Sequence, residues 1–171
     1  MTVYIALIRA VNVGGTGKLP MAGLRAMCED AGFEDVRTYI ASGNVVFSSG
    51  KSETVVRATL QERLEAHAGK PVGVLIRTGA EMAAVLAGNP FADKETKFTA
   101  TFFLDEPPPS DAAEAVSGRN DEEIALGTRE IYVHYPAGMG KSRLKIRAAD
   151  NGTGRNMNTV AKLVEMARET G

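Results

Sequence analysis

The amino-acid sequence predicts an α+β fold with antiparallel sheets. Short apolar runs typical of strands alternate with segments in which apolar residues recur at helical spacing. Residues 1–78 give the order β-α-β-β-α-β, which is the ferredoxin-like arrangement, and the second half begins with the order β-α-β-β. We therefore expect two ferredoxin-like subdomains, a first at 1–78 and a second at 79–171 that carries a C-terminal helix.

The first half of the chain contains four predicted strands and two predicted helices. Pro20 begins the first helix, because its missing N–H costs nothing in a first turn, and Gly32 ends it. Ser52 caps the second helix, which ends at Gly69. The predicted strands are 3–8, 36–40, 45–47 and 72–76.

The second half is predicted from similar patterns. Thr78 and Glu81 have capping-box spacing, which indicates a short linking helix through Leu86. The strands that follow are expected at 98–104, 124–126 and 131–135, with helices at 110–116 and at the C-terminus. Asp121-Glu122-Glu123 is typical of a solvated hairpin edge.

Basic and mostly apolar residues alternate in the segment 141–147. A strand would put Lys141, Arg143, Lys145 and Arg147 on one face, whereas a helix would divide them into two i,i+4 pairs. We favour the strand, and the helix stays open. Residues 141–171 contain seven basic and three acidic side chains, whereas residues 80–140 contain four and eleven. Such a basic segment binds an anion, is a solvated face, or pairs with the acidic middle of the chain.

Composition excludes several classes of protein. Twenty Lys and Arg against 21 Asp and Glu leave a net charge of −1, so no global field indicates a polyanionic partner. The single Cys28 excludes an intramolecular disulfide framework, and with two His we expect no metal site and no cofactor. The longest apolar run, 3–8, is too short to span a bilayer, so we expect no membrane association and a cytoplasmic location.

Two glycine-rich segments, each at the expected start of a helix, are candidate anion sites. In the first, Asn12 to Lys18, glycine lets backbone N–H groups approach a phosphate, although the segment matches neither the Walker A motif nor G-x-G-x-x-G. In the second, 151–156, Arg155 can form a forked contact with a phosphate. The alternatives are a flexible connection for the first segment and simple helix capping for the second.

The blocks 4–15, 38–47 and 152–163 resemble the bacterial domain-of-unknown-function family 1697, with Ala10 and Met157 as departures. The resemblance implies two ferredoxin-like subdomains. It indicates no particular activity, because the family is one of unknown function. Its motif positions are polar or glycine rather than core-forming, which favours a shared site over packing. The alternative is a buried polar network, which gives the same pattern. These positions are Arg9, Asn12, Gly14, Gly15, Ser42, Gly43, Asn44, Arg155, Asn156 and Thr159.

We favour a binding module for a phosphate-bearing ligand, either a nucleotide or a nucleic acid. The alternatives are an enzyme that acts on a small anionic metabolite and a structural or oligomer-forming protein. No catalytic residue and no oligomeric state is assigned. The candidate ligand-binding residues are Arg9, Asn12, Gly14, Gly15, Lys18, Ser42, Asn44, Arg155, Asn156, Asn158 and Thr159.

Overall fold

The computed structural model describes residues 1–9, 20–39 and 43–170, and these residues form an α+β structure with antiparallel sheets. Their contacts define two compact units, one of Met1–Met82 with Leu163–Gly171 and one of Ala83–Lys162. The division thus falls four residues after the expected start of the second subdomain. The end of the C-terminal helix belongs to the first unit, although the sequence assigned all of 79–171 to the second.

The first unit contains a four-stranded sheet and two helices that connect its strands. The strands are β1 (Thr2–Ile8), β2 (Glu34–Tyr39), β3 (Asn44–Ser49) and β4 (Val74–Thr78). Helix α1 (Met21–Asp30) joins β1 to β2, and α2 (Glu53–Ala68) joins β3 to β4. The sheet order is β2-β3-β1-β4, with each neighbouring pair antiparallel. Every predicted strand and helix of this half is found, with the described ends shifted by one or two residues. Ile40, the predicted end of the second strand, lies outside the described residues.

The second unit contains another four-stranded sheet and a separate two-stranded ribbon. Its strands are β5 (Thr99–Phe103), β6 (Val116–Ser117), β7 (Glu123–Leu126), β8 (Glu130–His134), β9 (Lys145–Ile146) and β10 (Thr153–Asn156). Helices α3 (Gly79–Ala87) and α4 (Met157–Arg168) each contain a boundary between the units. The sheet order is β10-β5-β8-β7, and β6 pairs with β9. No helix of the described residues is long and apolar enough to cross a membrane.

The two sheets share one topology. If the four strands of each sheet are numbered in chain order, both sheets have the spatial order 4-1-3-2. All neighbouring strands are antiparallel. This is compatible with a duplicated subdomain. The connections between the strands differ. Where the first unit has the helices α1 and α2, the second unit has β6 and β9, which are the two strands of the ribbon.

The prediction of a helix at 110–116 is wrong. Residues 110–114 form turns, in which the Ala115 amide donates to the Asp111 carbonyl at 2.9 Å, and the chain then enters β6. The prolines at 107–109 precede the segment, and Val116 pairs with Ile146 across the ribbon, so fewer than two turns' length of chain is left for a helix.

The strand prediction for 141–147 holds only in part. Only Lys145–Ile146 is a strand, and short 3-10 turns at Met139–Lys141 and Arg147–Ala149 flank it. The side chains nevertheless alternate as a strand requires, since the four basic residues are exposed and Ile146 is buried.

Local capping chemistry sets the helix ends that the sequence predicted. The capping box is reciprocal: the Thr78 amide donates to Glu81 Oε1 at 2.8 Å, and the Glu81 amide donates to Thr78 Oγ1 at 3.1 Å. Ser52 accepts from the Val55 amide, and Gly69 ends α2 at φ 75°, which a residue with a Cβ adopts only with strain.

Each unit has its own apolar core. In the first unit, the helices cover one face of the sheet, where the Phe33 and Phe47 rings stack with centroids 4.4 Å apart. Burial there raises the pKa of the Cys28 thiol to about 12, so the thiol stays neutral. Arg37 on the opposite face donates to the Met166 carbonyl of α4 at 3.5 Å. In the second unit, Ile131, Val133 and Ile146 belong to a core that the ribbon helps to form.

Candidate functional site

The predicted site residues of the first unit lie at one end of its sheet. Five of them, Asn12, Gly14, Gly15, Lys18 and Ser42, lie outside the described residues. Arg9 follows β1 and Asn44 begins β3, and the register pairs Leu7 with Asn44, so the two candidates are at the same end.

Arg9 and Asn44 have different surroundings. The Arg9 amide donates to the Gly73 carbonyl at 2.8 Å, and its exposed side chain lies over Gly73, where an added Cβ would be 3.2 Å from that of Arg9. Asn44 is fully buried, and its Nδ2 donates to the Tyr39 carbonyl at 3.0 Å. Asn44 therefore holds the ends of β2 and β3 together, while Arg9 faces solvent.

In the second unit, the predicted site residues form hydrogen bonds within the protein. The Arg155 guanidinium, 7% exposed, donates to Thr153 Oγ1 at 2.7 Å and to the Gly154 carbonyl at 2.9 Å. Burial lowers the pKa of Arg155 to about 10, which still leaves it charged at neutral pH. Arg155 is thus part of the unit's internal structure.

The three predicted polar residues after Arg155 also have their contacts within the protein; they are Asn156, Asn158 and Thr159. Asn156 Oδ1 accepts from the Thr159 amide at 2.9 Å, which is the geometry of an N-cap on α4. Thr96 donates to Asn158 Oδ1 at 2.5 Å, and Thr159 is buried. The structure thus brings these candidates together around the start of α4, with contacts that serve the fold.

Close packing accounts for the glycines of the second glycine-rich segment. A Cβ at Gly152 would collide with the Phe103 carbonyl oxygen, and one at Gly154 would be 2.8 Å from the Phe102 ring. Residues 153–156 of the segment form the strand β10, which pairs with β5, and no strand was predicted there from the sequence. Its apolar–polar alternation is too weak to have indicated one.

Sequence analysis missed a pair of cavities in the second unit, which the basic segment 141–147 lines. The first, here called the Tyr135 cavity, has a volume of about 290 Å³. The second, the Lys145 groove, has about 400 Å³. Residues lining the Tyr135 cavity include Asn120, Asp121, Glu122, Tyr135, Lys141, Ser142 and Arg143. The groove is lined by Ala115, Val116, Ser117, Lys145, Arg147 and Asp150. The alternating basic pattern is the signal in the sequence that pointed to this region.

A buried carboxylate lies in the wall of the Tyr135 cavity. Glu122 is 5% exposed, contrary to the solvated edge expected for 121–123, and accepts from Ser142 Oγ at 2.5 Å and from the Asn120 amide at 2.7 Å. The Ser142 hydrogen bond, followed by that of Asn120, holds the pKa of Glu122 below its usual value. Glu122 is therefore ionised at neutral pH. Burial, and then the charge of Glu122, raise the pKa of Tyr135 to about 12, so the phenol is neutral.

The four basic side chains around the cavities are exposed and form no ion pair among the residues that the structure describes. Two of them, Lys141 and Arg143, belong to the Tyr135 cavity, and Lys145 and Arg147 belong to the groove. The nearby His134 is engaged elsewhere, with Glu123 at 3.2 Å. This arrangement presents positive charge, together with hydroxyl groups, to a ligand.

Comparison with known proteins gives one family and a close structural relative. Residues 1–132 match the family described as "Protein of unknown function (DUF1697)", so the block at 152–163 lies beyond the match. A conserved bacterial protein, SP0830 from Streptococcus pneumoniae, has a similar structure with a TM-score of 0.81 and 25% identity. The similarity covers 97% of this chain and 98% of that one. Comparison with curated proteins gives no match.

Proposed function

Since the chain belongs to the family of proteins of unknown function DUF1697, we propose from the geometry of the second unit that it binds a phosphate-bearing ligand, a nucleotide or a nucleic acid. One observation carries the proposal. Lys141, Arg143, Lys145 and Arg147 are exposed side by side along 141–147, and none of them has a carboxylate partner within the described chain.

The physical argument is electrostatic. Where the segment is extended, as at β9, like charges on alternate residues are about 6.6 Å apart and repel one another unless an anion lies between them. A phosphate group removes this repulsion, and the two arginines can each form a forked pair with its oxygens. The linings of the two cavities also contain three carboxylates, those of Asp121, Glu122 and Asp150, so the four basic side chains leave a net charge of +1 there.

The predicted residues of the first unit remain part of the proposal. Arg9 is exposed at the end of the sheet from which the chain continues into 10–19, the segment that contains Asn12 and Lys18. We also propose that the first unit is a ferredoxin-like subdomain and the second a modified copy. The order β-α-β-β-α-β of the first unit and the common order of the two sheets support this.

Fluorescence anisotropy with labelled single-stranded RNA and duplex DNA, at about 50 and about 200 mM salt, tests the function. We expect affinity to fall with salt, and the double variant Lys145→Ala with Arg147→Ala to lower the slope of log K against log salt by about 2. Arg25→Ala with Lys51→Ala removes the same charge from exposed positions of the first unit and is the matched control.

Two results contradict the proposal. One is the absence of binding to both nucleic acids and to a panel of mononucleotides. The other is an equal loss of affinity in the two double variants, which would show a general charge effect rather than a site. The alternatives of an enzyme and of an oligomer-forming protein stay predictions, and solution mass at low and high salt addresses the second.

A further inference from the structure

The Tyr135 cavity combines three kinds of polar group in one small space. Its buried part contains the Glu122 carboxylate and the Tyr135 phenol, whereas the exposed Lys141 and Arg143 lie at its edge. All of these residues belong to the second unit. A ligand that fits must therefore be anionic at one end and carry hydrogen-bond donors at the other.

Glu122 determines the donor end. An ionised carboxylate only accepts hydrogen bonds and has about four acceptor positions, of which Ser142 and the Asn120 amide occupy two. A second anion beside it would be repelled, and an apolar group would leave the remaining positions unsatisfied. Hydroxyl groups satisfy them.

Tyr135 adds a second contact of the same kind. The residue is 7% exposed, and its hydroxyl forms no hydrogen bond with any residue that the structure describes, although it lines the cavity. A neutral phenol both donates and accepts, so it complements a second hydroxyl next to the one that Glu122 binds. Lys141 and Arg143 then take the negatively charged end, while the exposed Asp121 is a second carboxylate of the lining and repels an anion placed beside it.

We propose that the Tyr135 cavity binds a phosphate monoester with neighbouring hydroxyl groups, which is the chemistry of a sugar phosphate and of the ribose-phosphate part of a nucleotide. The inference rests on the proposed function and specifies its ligand. The volume of about 290 Å³ lies at the lower limit of about 300–1,000 Å³ for ligand pockets. The cavity therefore accommodates the sugar and phosphate, and the base of a nucleotide would lie outside it.

Isothermal titration calorimetry of the full chain tests the inference with two matched probes. Ribose 5-phosphate carries the hydroxyls, and propyl phosphate has the same charge without them. We expect ribose 5-phosphate to bind about 5- to 150-fold more tightly, because two hydrogen bonds contribute about 0.5–1.5 kcal/mol each. AMP distinguishes the two sources: tighter binding than ribose 5-phosphate indicates a nucleotide, and equal binding indicates a sugar phosphate.

Variants of the cavity test the contacts to the two ends of the ligand separately. Tyr135→Phe removes only the unpartnered hydroxyl, so the fold is retained, and we expect a three- to tenfold loss for ribose 5-phosphate and none for propyl phosphate. Lys141→Ala with Arg143→Ala should weaken both. Equal affinity for the two probes, or full affinity of Tyr135→Phe, overturns the inference. If labelled RNA or duplex DNA still binds with the salt dependence given above, the proposed function survives that result. If neither nucleic acid and none of the mononucleotides binds, both proposals are wrong.

Discussion

Replacing Gly152 by alanine tests whether the second glycine-rich segment, 151–156, contains glycine because of close packing or because of ligand binding. An added Cβ would fall on the Phe103 carbonyl oxygen and 2.8 Å from Leu104 Cδ2. The carbonyl has little room to shift, because Phe103 pairs with Thr153 on one side and with Glu130 on the other. We therefore expect a loss at the upper end of the overpacking range, about 3 kcal/mol in the free energy of unfolding.

Two further glycines calibrate this expectation. At Gly154 the obstacle is the half-buried Phe102 ring, which can rotate, so the loss should be near the lower end of the range, about 1 kcal/mol. Gly50 has open space within 4 Å and no positive φ, so alanine there should be neutral or stabilising by about 0.4–1 kcal/mol.

Urea unfolding followed by circular dichroism measures all three variants, and calorimetry should show a melting temperature about 6–12 °C lower for Gly152→Ala. The expected order of stability is Gly50→Ala, then Gly154→Ala, then Gly152→Ala. If Gly152→Ala were as stable as Gly50→Ala, the packing argument would be refuted, and the glycines would need a role outside the fold.

Two other predictions concern polar groups of the second unit. Asn156→Ala should lower the free energy of unfolding by about 1 kcal/mol through loss of the α4 cap, Asn156→Ser should restore most of it, and unchanged stability in urea would contradict the capping role. The folded state holds the pKa of Glu122 below its usual 4.5, so the stabilisation from its ionised form is complete above that pH and is lost as pH falls through the folded value. Melting temperatures from pH 7 to pH 3 should fall less steeply for Glu122→Gln than for the natural chain, and parallel curves would contradict this.

Much of the fold could be predicted from the sequence where local chemistry decides it. Both ends of α2 and the start of α3 follow from Ser52, Gly69 and the Thr78–Glu81 box, whose contacts lie within a few residues along the chain. Buried strands such as β1 are visible as apolar runs. The ribbon strands β6 and β9 are two residues each, and such short strands have no detectable period.

The candidate site could be predicted only in part. The basic alternation of 141–147 was visible, but its carboxylate and phenol partners were not, since Glu122 resembles any residue of an acidic hairpin edge. The β7–β8 hairpin and the turn at 139–141 bring Glu122, Tyr135 and Ser142 together from 20 residues of chain. The hydrogen bonds of Arg155 to Thr153 and of Asn156 to the Thr159 amide could not be predicted either, because they depend on the backbone geometry around the start of α4.

The sequence alone determined the α+β class, the helix ends and the exposed basic row, because each depends on residues that are neighbours along the chain or share one periodic face. Tertiary structure decided that 153–156 is a strand, that Glu122 is buried and that a cavity opens beside Tyr135. These depend on pairing between distant segments, where one hydrogen-bonded register out of many is selected by the packing of the whole unit.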